Sequence, residues 1–318
     1  MSEFKSSSTV AGIGPVQRLR YMIGLAALYL RRLIEGQDAS WVVETFAEYE
    51  EGLRRFGSGK PLAGCRIVEI GYGARPLRFM ALHAISADVT AIDLDRPILS
   101  GRPGEFVDAW RRNGAARAIK SFLRFWINDG AERRAVYRAL GARVIRRGLP
   151  ADRLAVASAA EAAFWTPFAG SLDLIVSEDV FEYIPAEALR SIVDRMSDAL
   201  APDGIAMIRP MIFTGISGGH HLECYEHRVA ADMPRATRPW EHLRGDRHPA
   251  DTYLNRMSRR DYRALFSVRF DILEERVKRP DLGRERMTPE LRAELKDWPD
   301  EELFSNAVMF VLRRKRTQ

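Results

Sequence analysis

The stretch RIVEIGYGARPLR, residues 66–78, places a carboxylate and two glycines where a strand would give way to a helix. Glu69 lies near the end of a β-branched run, and Gly71 and Gly73 follow it directly. Glycine has no Cβ, so the backbone N–H groups of such a loop and the start of the next helix can approach a ligand closely. The stretch therefore predicts a ligand site at the carboxyl end of a first strand.

The loop departs from the dinucleotide fingerprint at its third position. That fingerprint requires a glycine at position 76, so that helix and strand pack closely beneath a pyrophosphate. Position 76 is Pro76, which suits the first turn of a helix but does not allow the same close approach. The departure argues against a nicotinamide dehydrogenase.

A second carboxylate, Asp93, ends the next predicted strand, twenty residues after Gly73. At this separation a carboxylate meets the two hydroxyls of an adenosine ribose. Glu69 has no use beside a negatively charged pyrophosphate, but it suits a cationic ammonium group. Because S-adenosylmethionine contains both an adenosine and an ammonium group, the two carboxylates favour this cofactor.

At these residues the chain resembles the class I S-adenosylmethionine-dependent methyltransferases, and in particular the methyltransferase type 11 proteins. VEIGYGARP is similar to their first motif and VTAIDLD to their second, and the similarity continues through the LAPDG turn, over about residues 62–213. The resemblance implies methyl transfer with S-adenosylhomocysteine as product. It also implies that the cofactor is held at its methionine part by Glu69, Gly71, Tyr72 and Gly73, at its ribose by Asp93, at its adenine by Leu94, and beneath its sulfonium by Ser177.

The chain differs from the family pattern at three points. Arg75 replaces the family's third glycine, Ala159 or Ala160 replaces the acid before the adenine-side loop, and Tyr183 replaces the common histidine after strand four. Glu161 either contacts the adenine or is an exposed residue at a helix start. These departures leave open an alternative, a methyltransferase-like scaffold without catalysis.

Five of the six histidines, His220, His221, His227, His242 and His248, follow the fifth predicted strand within 29 residues. Imidazole suits a base near neutral pH. We expect His220 or His221 to be the base, on a flexible GISGG loop that closes over the acceptor.

Two further interpretations concern the same edge of the sheet. Glu178 and Asp179, directly after strand four, either act as base or acceptor contact or cap the next helix. The cluster of His220, His221, Glu223, Glu226 and His227 could also bind a divalent cation, but adjacent histidines are a weak ligand spacing, and no metal site is predicted.

From Cys65 onward, short β-branched runs alternate with helical patterns, which indicates βαβ units. The predicted fold class is α/β, a Rossmann-like, doubly wound, seven-stranded and mostly parallel sheet with helical insertions. Ser258 and Asp261 have the spacing of a capping box, so a helix should lead into strand six. The predicted strands are CRIVEIG, DVTAID, RLAVAS, LDLIVS, GIAMIRPMIF, FSVRFDILEERV and FSNAVMFVLRR.

The predicted organisation is an N-terminal helical segment, 1–60, and a methyltransferase domain, 61–318, in which insertions at 96–150 and 214–257 form a substrate cover. The first insertion has 13 Lys or Arg against 4 Asp or Glu, interleaved with aromatic residues. It could receive an acceptor bearing phosphate, such as a nucleotide-linked or lipid-linked sugar. The alternatives are RNA binding by stacking and charge, and a hairpin with an aromatic core and solvated arginines.

Two distant cysteines give no disulfide framework, and no stretch approaches the ~20 apolar residues of a membrane span, so a cytoplasmic protein is predicted. The run YMIGLAALYL is flanked by arginines, and residues 15–34 therefore either pack on their own domain or contact the inner membrane surface. The predicted reaction is O-methylation of a small or glycan-type acceptor, in polysaccharide biosynthesis.

Overall fold

The computed structural model describes residue 23 and the ranges 38–86, 88–221, 224–231, 238–245 and 253–316. The strands are β1 (Arg66–Ile70), β2 (Asp88–Asp93), β3 (Leu154–Val156), β4 (Leu172–Glu178), β5 (Leu200–Arg209), β6 (Phe270–Val277) and β7 (Val308–Arg314). The helices are α1 (Ser40–Phe56), α2 (Leu77–Ala84), α3 (Pro103–Asn113), α4 (Ala115–Arg124), α5 (Gly130–Leu140), α6 (Ala162–Trp165), α7 (Ala186–Ala199), α8 (Glu226–Ala231), α9 (Glu241–Arg244), α10 (Arg259–Ser267), α11 (Pro289–Glu294) and α12 (Asp300–Leu303).

The seven strands form one sheet in the order β3-β2-β1-β4-β5-β7-β6. Strands β1 to β5 pair in parallel, and β7 runs antiparallel to both β5 and β6. The predicted α/β class and all seven predicted strands are confirmed. Strand β5 begins earlier than predicted, because Leu200 already pairs with Leu172 before the register shifts, and it ends at Arg209, before Pro210.

Helices cover both faces of the sheet. Along β1, Ile67 packs into one core layer with α1 and α2, whereas the next residue, Val68, packs into the other layer with α7 and α10. Adjacent residues alternate between faces because the side-chain period of a strand is two. The buried parallel strands can therefore be almost continuously apolar.

Helix α1 belongs to the same core as the sheet. Phe46 and Leu53 are fully buried in the layer on β1, and a Cβ on Gly52 would lie 2.6 Å from Sδ of Met207 in β5, so glycine permits the close approach of this helix. The predicted N-terminal segment 1–60 thus contributes a layer of the sheet domain through its described part. Residues 15–34, for which membrane contact was considered, lie outside the described residues except for Ile23.

The insertion at 96–150 is helical, as predicted, and consists of α3, α4, a π-helical turn (Phe125–Asp129) and α5. Two contacts join it to the glycine loop: Arg75 lies 2.5 Å from Oε1 of Glu132, and Nη2 of Arg124 donates to the carbonyl of Ala74. The predicted capping box at Ser258 and Asp261 is confirmed at the start of α10. Among the described residues, no helix combines the length and the apolar composition needed to cross a bilayer.

Candidate active site

The candidate site lies where the strand order reverses, between β1 and β4. In open α/β sheets the crevice at the carboxyl ends of the strands, at such a switch point, is the usual ligand site. The neighbouring parallel strands end there in Ile70, Asp93, Glu178 and Arg209. The sheet therefore brings the predicted carboxylates to one edge.

The two loop glycines differ in what surrounds them. Gly71 has φ +83°, and a Cβ there would lie 2.2 Å from Cγ2 of Val180, so this glycine is required by packing. Gly73 has φ +64°, and no atom lies within 4 Å of the position of its Cβ. Its N–H donates to Oδ2 of Asp93 at 2.8 Å, which ties the loop to the end of β2. The loop is thus fixed by Val180 and Asp93, and there is open space beside the Cα of Gly73.

Glu69 is buried beside a single cation. Its side chain accepts a hydrogen bond from Nη1 of Arg78 at 3.3 Å, while its other oxygen, Oε2, has no hydrogen-bond partner in the described part of the chain. Burial raises the pKa of Glu69 to about 7, against the attraction of Arg78 and with some repulsion from Glu178. A buried carboxylate oxygen without a donor is costly, and a ligand cation would satisfy it.

Glu178 is held by two hydrogen-bond donors and a further ion pair, all from distant parts of the chain. It accepts from the Tyr49 hydroxyl at 2.5 Å and from Arg209 at 2.7 Å, and Arg78 lies 3.3 Å away. Burial alone would raise the pKa of Glu178, but Arg78 and Arg209 hold it at about 2. The role of Glu178 as base or acceptor contact stays a prediction. In this structure its carboxylate pairs with both Arg78 and Arg209.

Asp93 and its neighbours occupy the predicted ribose and adenine side. Oδ1 of Asp93 accepts from the N–H of Asp95 at 2.8 Å, and the Asp93 carbonyl accepts from the N–H of Ala157, so the loop after β3 begins beside it. Burial raises the pKa of Asp93. Leu94 is 63% exposed, as a residue that packs on a ligand ring would be in the free protein. Glu161 is exposed before α6 and makes no side-chain capping bond.

Tyr72 and Ser177 are buried rather than open to the crevice. The Tyr72 hydroxyl is within hydrogen-bonding distance of the carbonyls of Ala155 and Asp95, so its side chain fixes the loop against β3, and its backbone is the part available to a ligand. The Ser177 hydroxyl donates to the Ile70 carbonyl at 2.8 Å. Both side chains therefore support the loop in this structure.

His220 lies beside the segment that follows β4. Its Nδ1 is 3.3 Å from the hydroxyl of Tyr183, and its Nε2 is buried without a hydrogen-bond partner in the described part of the chain. Burial, with a smaller contribution from His221, lowers the pKa of His220 to about 4. The ring is therefore neutral at pH 7 and can accept a hydrogen bond. His221 lies next to the ring of His242, 6.1 Å between centroids.

The GISGG loop has a different structure from the flexible loop that its sequence predicts. Residues 214–220 are buried, and added Cβ atoms on Gly218 and Gly219 would lie 2.2 Å from the Phe213 carbonyl and 2.5 Å from Cβ of His242. The N–H of Ser217 donates to Oδ1 of Asn306. These glycines therefore serve close packing, and the structure shows a tight buried turn where a flexible loop was predicted.

No three metal-type side chains converge within the described ranges. Two members of the alternative cation cluster, Glu223 and the His227 side chain, lie outside these ranges, as does His248. The sequence analysis missed Arg78, although its position in the first turn after the glycine loop was a usable signal. It also missed Tyr49 and Arg209, which only the tertiary fold brings to Glu178.

The strand order decides the fold. A parallel sheet in the order β3-β2-β1-β4-β5, extended by an antiparallel β7 and then β6, is the arrangement of the resembled family. The chain has the class I methyltransferase fold. No family model and no curated protein sequence matches this methyltransferase-fold chain.

Several solved structures are similar to this chain overall, at low sequence identity. A TehB-like S-adenosylmethionine-dependent methyltransferase from Corynebacterium glutamicum has 14% identity over 95% of this chain and 100% of its own, with a TM-score of 0.39. Geranyl diphosphate C-methyltransferase from Streptomyces coelicolor, solved with S-adenosylhomocysteine, has 14% identity over 85% and 76%, with a TM-score of 0.39. A methyltransferase from Methanosarcina mazei has 15% identity over 79% and 92%, with a TM-score of 0.40.

Proposed function

We propose that the protein is an S-adenosylmethionine-dependent methyltransferase whose crevice binds the cofactor between Glu69 and Asp93. The observation that carries the proposal is the buried Oε2 of Glu69, which has no donor in the described part of the chain and lies below the glycine loop. The ammonium group of the cofactor is a cation of the right kind for this oxygen. A pyrophosphate would instead be repelled.

The remaining residues fit the rest of the cofactor. Arg78, whose Nε is also buried without a hydrogen-bond partner among the described residues, offers a donor to the cofactor's carboxylate. The open space above Gly73 admits the ligand to the backbone, and the exposed Leu94 offers an apolar surface to the adenine. Asp93 would accept from the ribose hydroxyls with the lone pairs that Gly73 and Asp95 leave available.

We further infer O-methylation of a small or glycan-type hydroxyl acceptor. The bound cofactor would supply an electrophilic methyl group, so the protein has to align the acceptor oxygen and accept its proton. His220 is the best candidate base, since it is neutral and has a free Nε2 in the described structure, while the Tyr183 hydroxyl holds its other nitrogen. The ring of Tyr225 also lies beside that of His220, 6.4 Å between centroids.

The proposal is tested first by calorimetry with S-adenosylmethionine, S-adenosylhomocysteine and NAD. We expect heat from the first two only, and at least about tenfold weaker binding in Glu69→Gln. Glu44→Gln, which removes an exposed carboxylate on α1 outside the proposed site, is the matched control for charge. Heat from NAD alone would contradict binding of S-adenosylmethionine. Heat from none of the three ligands would also contradict it, and would favour the alternative of a scaffold without catalysis.

The acceptor class is tested separately with cofactor labelled in its methyl group. Nucleotide sugars, lipid-linked sugars, prenyl diphosphates and RNA are offered in parallel, and the label is followed into product. We expect transfer to a hydroxyl of a sugar-containing acceptor. Transfer to the carbon of a prenyl chain, or only to RNA, would overturn the glycan assignment while leaving the methyltransferase assignment intact.

A further inference from the structure

The insertion carries an apolar surface that is exposed in the described part of the chain. We define the hairpin face as the exposed apolar side chains of α3, α4 and the π-helical turn, which are between 45% and 66% exposed. Apolar patches of this kind mark interaction surfaces in proteins, whereas single exposed apolar residues need no explanation. The hairpin face consists of Val107, Trp110, Ile119, Leu123, Trp126 and Ile127.

These side chains form one continuous surface. Ile119, Leu123 and Ile127 recur every four residues and so follow one side of α4 into the π-helical turn. The two tryptophans are linked through half-buried rings: Trp110 to Phe106 at 5.6 Å, Phe106 to Phe122 at 5.1 Å, and Phe122 to Trp126 at 6.3 Å between centroids. The inner rings hold the exposed residues on a fixed platform.

Basic residues border the hairpin face. Arg111, Arg112, Arg117 and Lys120 are exposed on the same two helices, and α3 and α4 together contain five Lys or Arg against two Asp or Glu. An apolar helix face with tryptophan, bordered by Lys and Arg, is the composition of helices that lie in a membrane interface. Anionic headgroups attract such basic residues.

We propose that the hairpin face docks on an anionic lipid bilayer. A second copy of the chain fits the surface less well, because a two-fold interface would bring the basic borders of both copies together. A nucleic acid fits less well, because stacking uses aromatic faces and leaves the aliphatic residues Ile119, Leu123 and Ile127 without a role. The inference does not depend on the proposed methyl transfer.

The experiment is co-sedimentation of the full chain with vesicles. Vesicles of phosphatidylcholine mixed with phosphatidylglycerol should bind the protein, and vesicles of phosphatidylcholine alone should bind it much less. In the double variant Leu123→Ser/Ile127→Ser, the partition coefficient of the protein onto vesicles should fall about tenfold or more, because the two apolar side chains that would be buried in lipid are removed. Val268→Ser, which changes a side chain that is 68% exposed after α10, is the matched control and should bind like the original protein.

The depth to which the hairpin face enters the bilayer gives a second readout. Brominated lipids should quench tryptophan fluorescence on binding, and Trp126→Phe should remove a large part of the quenching. Arg111→Glu with Arg112→Glu should abolish the preference for phosphatidylglycerol. Because all substituted residues are exposed, circular dichroism should show an unchanged fold.

Three results would overturn the proposal. Equal sedimentation of Leu123→Ser/Ile127→Ser and the original protein would place any lipid contact elsewhere, for example in residues 15–34. Self-association that these serines abolish, measured by light scattering without lipid, would assign the hairpin face to a second copy. RNA binding that they abolish, with no vesicle binding, would assign it to nucleic acid.

Discussion

The guanidinium of Arg78 lies 3.3 Å from the carboxylate of Glu69, and it lies at the same distance from the carboxylate of Glu178. One cation is thus shared by two buried carboxylates at the ends of neighbouring strands. Arg209 and Tyr49 complete the charge and hydrogen-bond balance of Glu178, whereas Glu69 keeps an oxygen without a donor among the described residues. Of the two carboxylates that share Arg78, Glu69 is therefore the one with an unsatisfied oxygen.

Replacing Glu69 by Gln should separate binding from stability. The folded-state pKa of about 7 lies above the ordinary value of 4.5, so ionisation above pH 7 costs the ligand-free protein free energy, on the order of 1–3 kcal/mol. At pH 8, Glu69→Gln should therefore raise the free energy of unfolding in denaturant titrations while weakening cofactor binding. Lower stability with unchanged affinity would show that Glu69 is only structural.

Cofactor affinity should depend on pH through the same carboxylate. A cationic ligand pairs with the ionised form, so affinity should increase about tenfold between about pH 5.5 and about pH 7, and binding at about pH 6 should release a proton. Calorimetry in two buffers of different ionisation enthalpy measures that proton. Glu69→Gln should lose both effects, and a variant that retains them would locate the titrating group elsewhere.

The two loop glycines should respond differently to alanine. Gly71→Ala has to overcome both a φ of +83° and a contact of 2.2 Å with Val180, and should destabilise by about 3 kcal/mol or more. Gly73→Ala meets no atom within 4 Å and carries the strain of its φ of +64°, about 1 kcal/mol. Thermal unfolding of the two variants measures which of them is destabilised more. We expect Gly73→Ala to lose cofactor affinity although it folds, because its methyl group enters the ligand's space.

Arg78 should be the most sensitive charged position. Arg78→Met leaves two buried carboxylates without their shared cation, and should reduce the free energy of unfolding by about 3–5 kcal/mol. Arg54→Ala is a suitable comparison, because its ion pair with Glu51 is exposed and should contribute less than about 1 kcal/mol. Equal effects in urea titrations would show that the buried cluster is not coupled as described.

His220→Asn should affect turnover and spare binding. Asn tolerates the left-handed backbone that His220 adopts at φ +56°, so the turn should fold. With an acceptor identified by label transfer, methyl transfer should fall about 10²-fold or more while affinity for S-adenosylhomocysteine stays within about twofold. His221→Asn is the matched neighbour and should keep most of its activity.

The sequence predicted the sheet well for a physical reason. Buried parallel strands need continuous β-branched runs, and runs such as DVTAID are short and bounded by polar residues, so their positions are local information. Glu69 and Asp93 could be placed for the same reason, since Asp93 ends its strand and Glu69 is one residue from the end of its own. The capping box at Ser258 is equally local, and it is confirmed.

The features of the site that could not be predicted from the sequence depend on contacts between distant residues. Tyr49 meets Glu178 across 129 positions, and nothing local in α1 marks it. The two arginines that pair with Glu178, Arg78 and Arg209, come from two other elements, α2 and β5. In the GISGG loop, glycine was interpreted as flexibility, whereas Gly218 and Gly219 are small because neighbouring atoms leave no room for a Cβ.

The central claim is that Glu69 receives the ammonium of an adenosyl amino acid, and a crystal structure with S-adenosylhomocysteine tests it most directly. We predict the ligand's ammonium within hydrogen-bonding distance of Oε2 of Glu69 and its ribose hydroxyls on Asp93. A ligand bound elsewhere, or a crevice that stays closed by the Arg78 side chain at saturating ligand, would contradict the account.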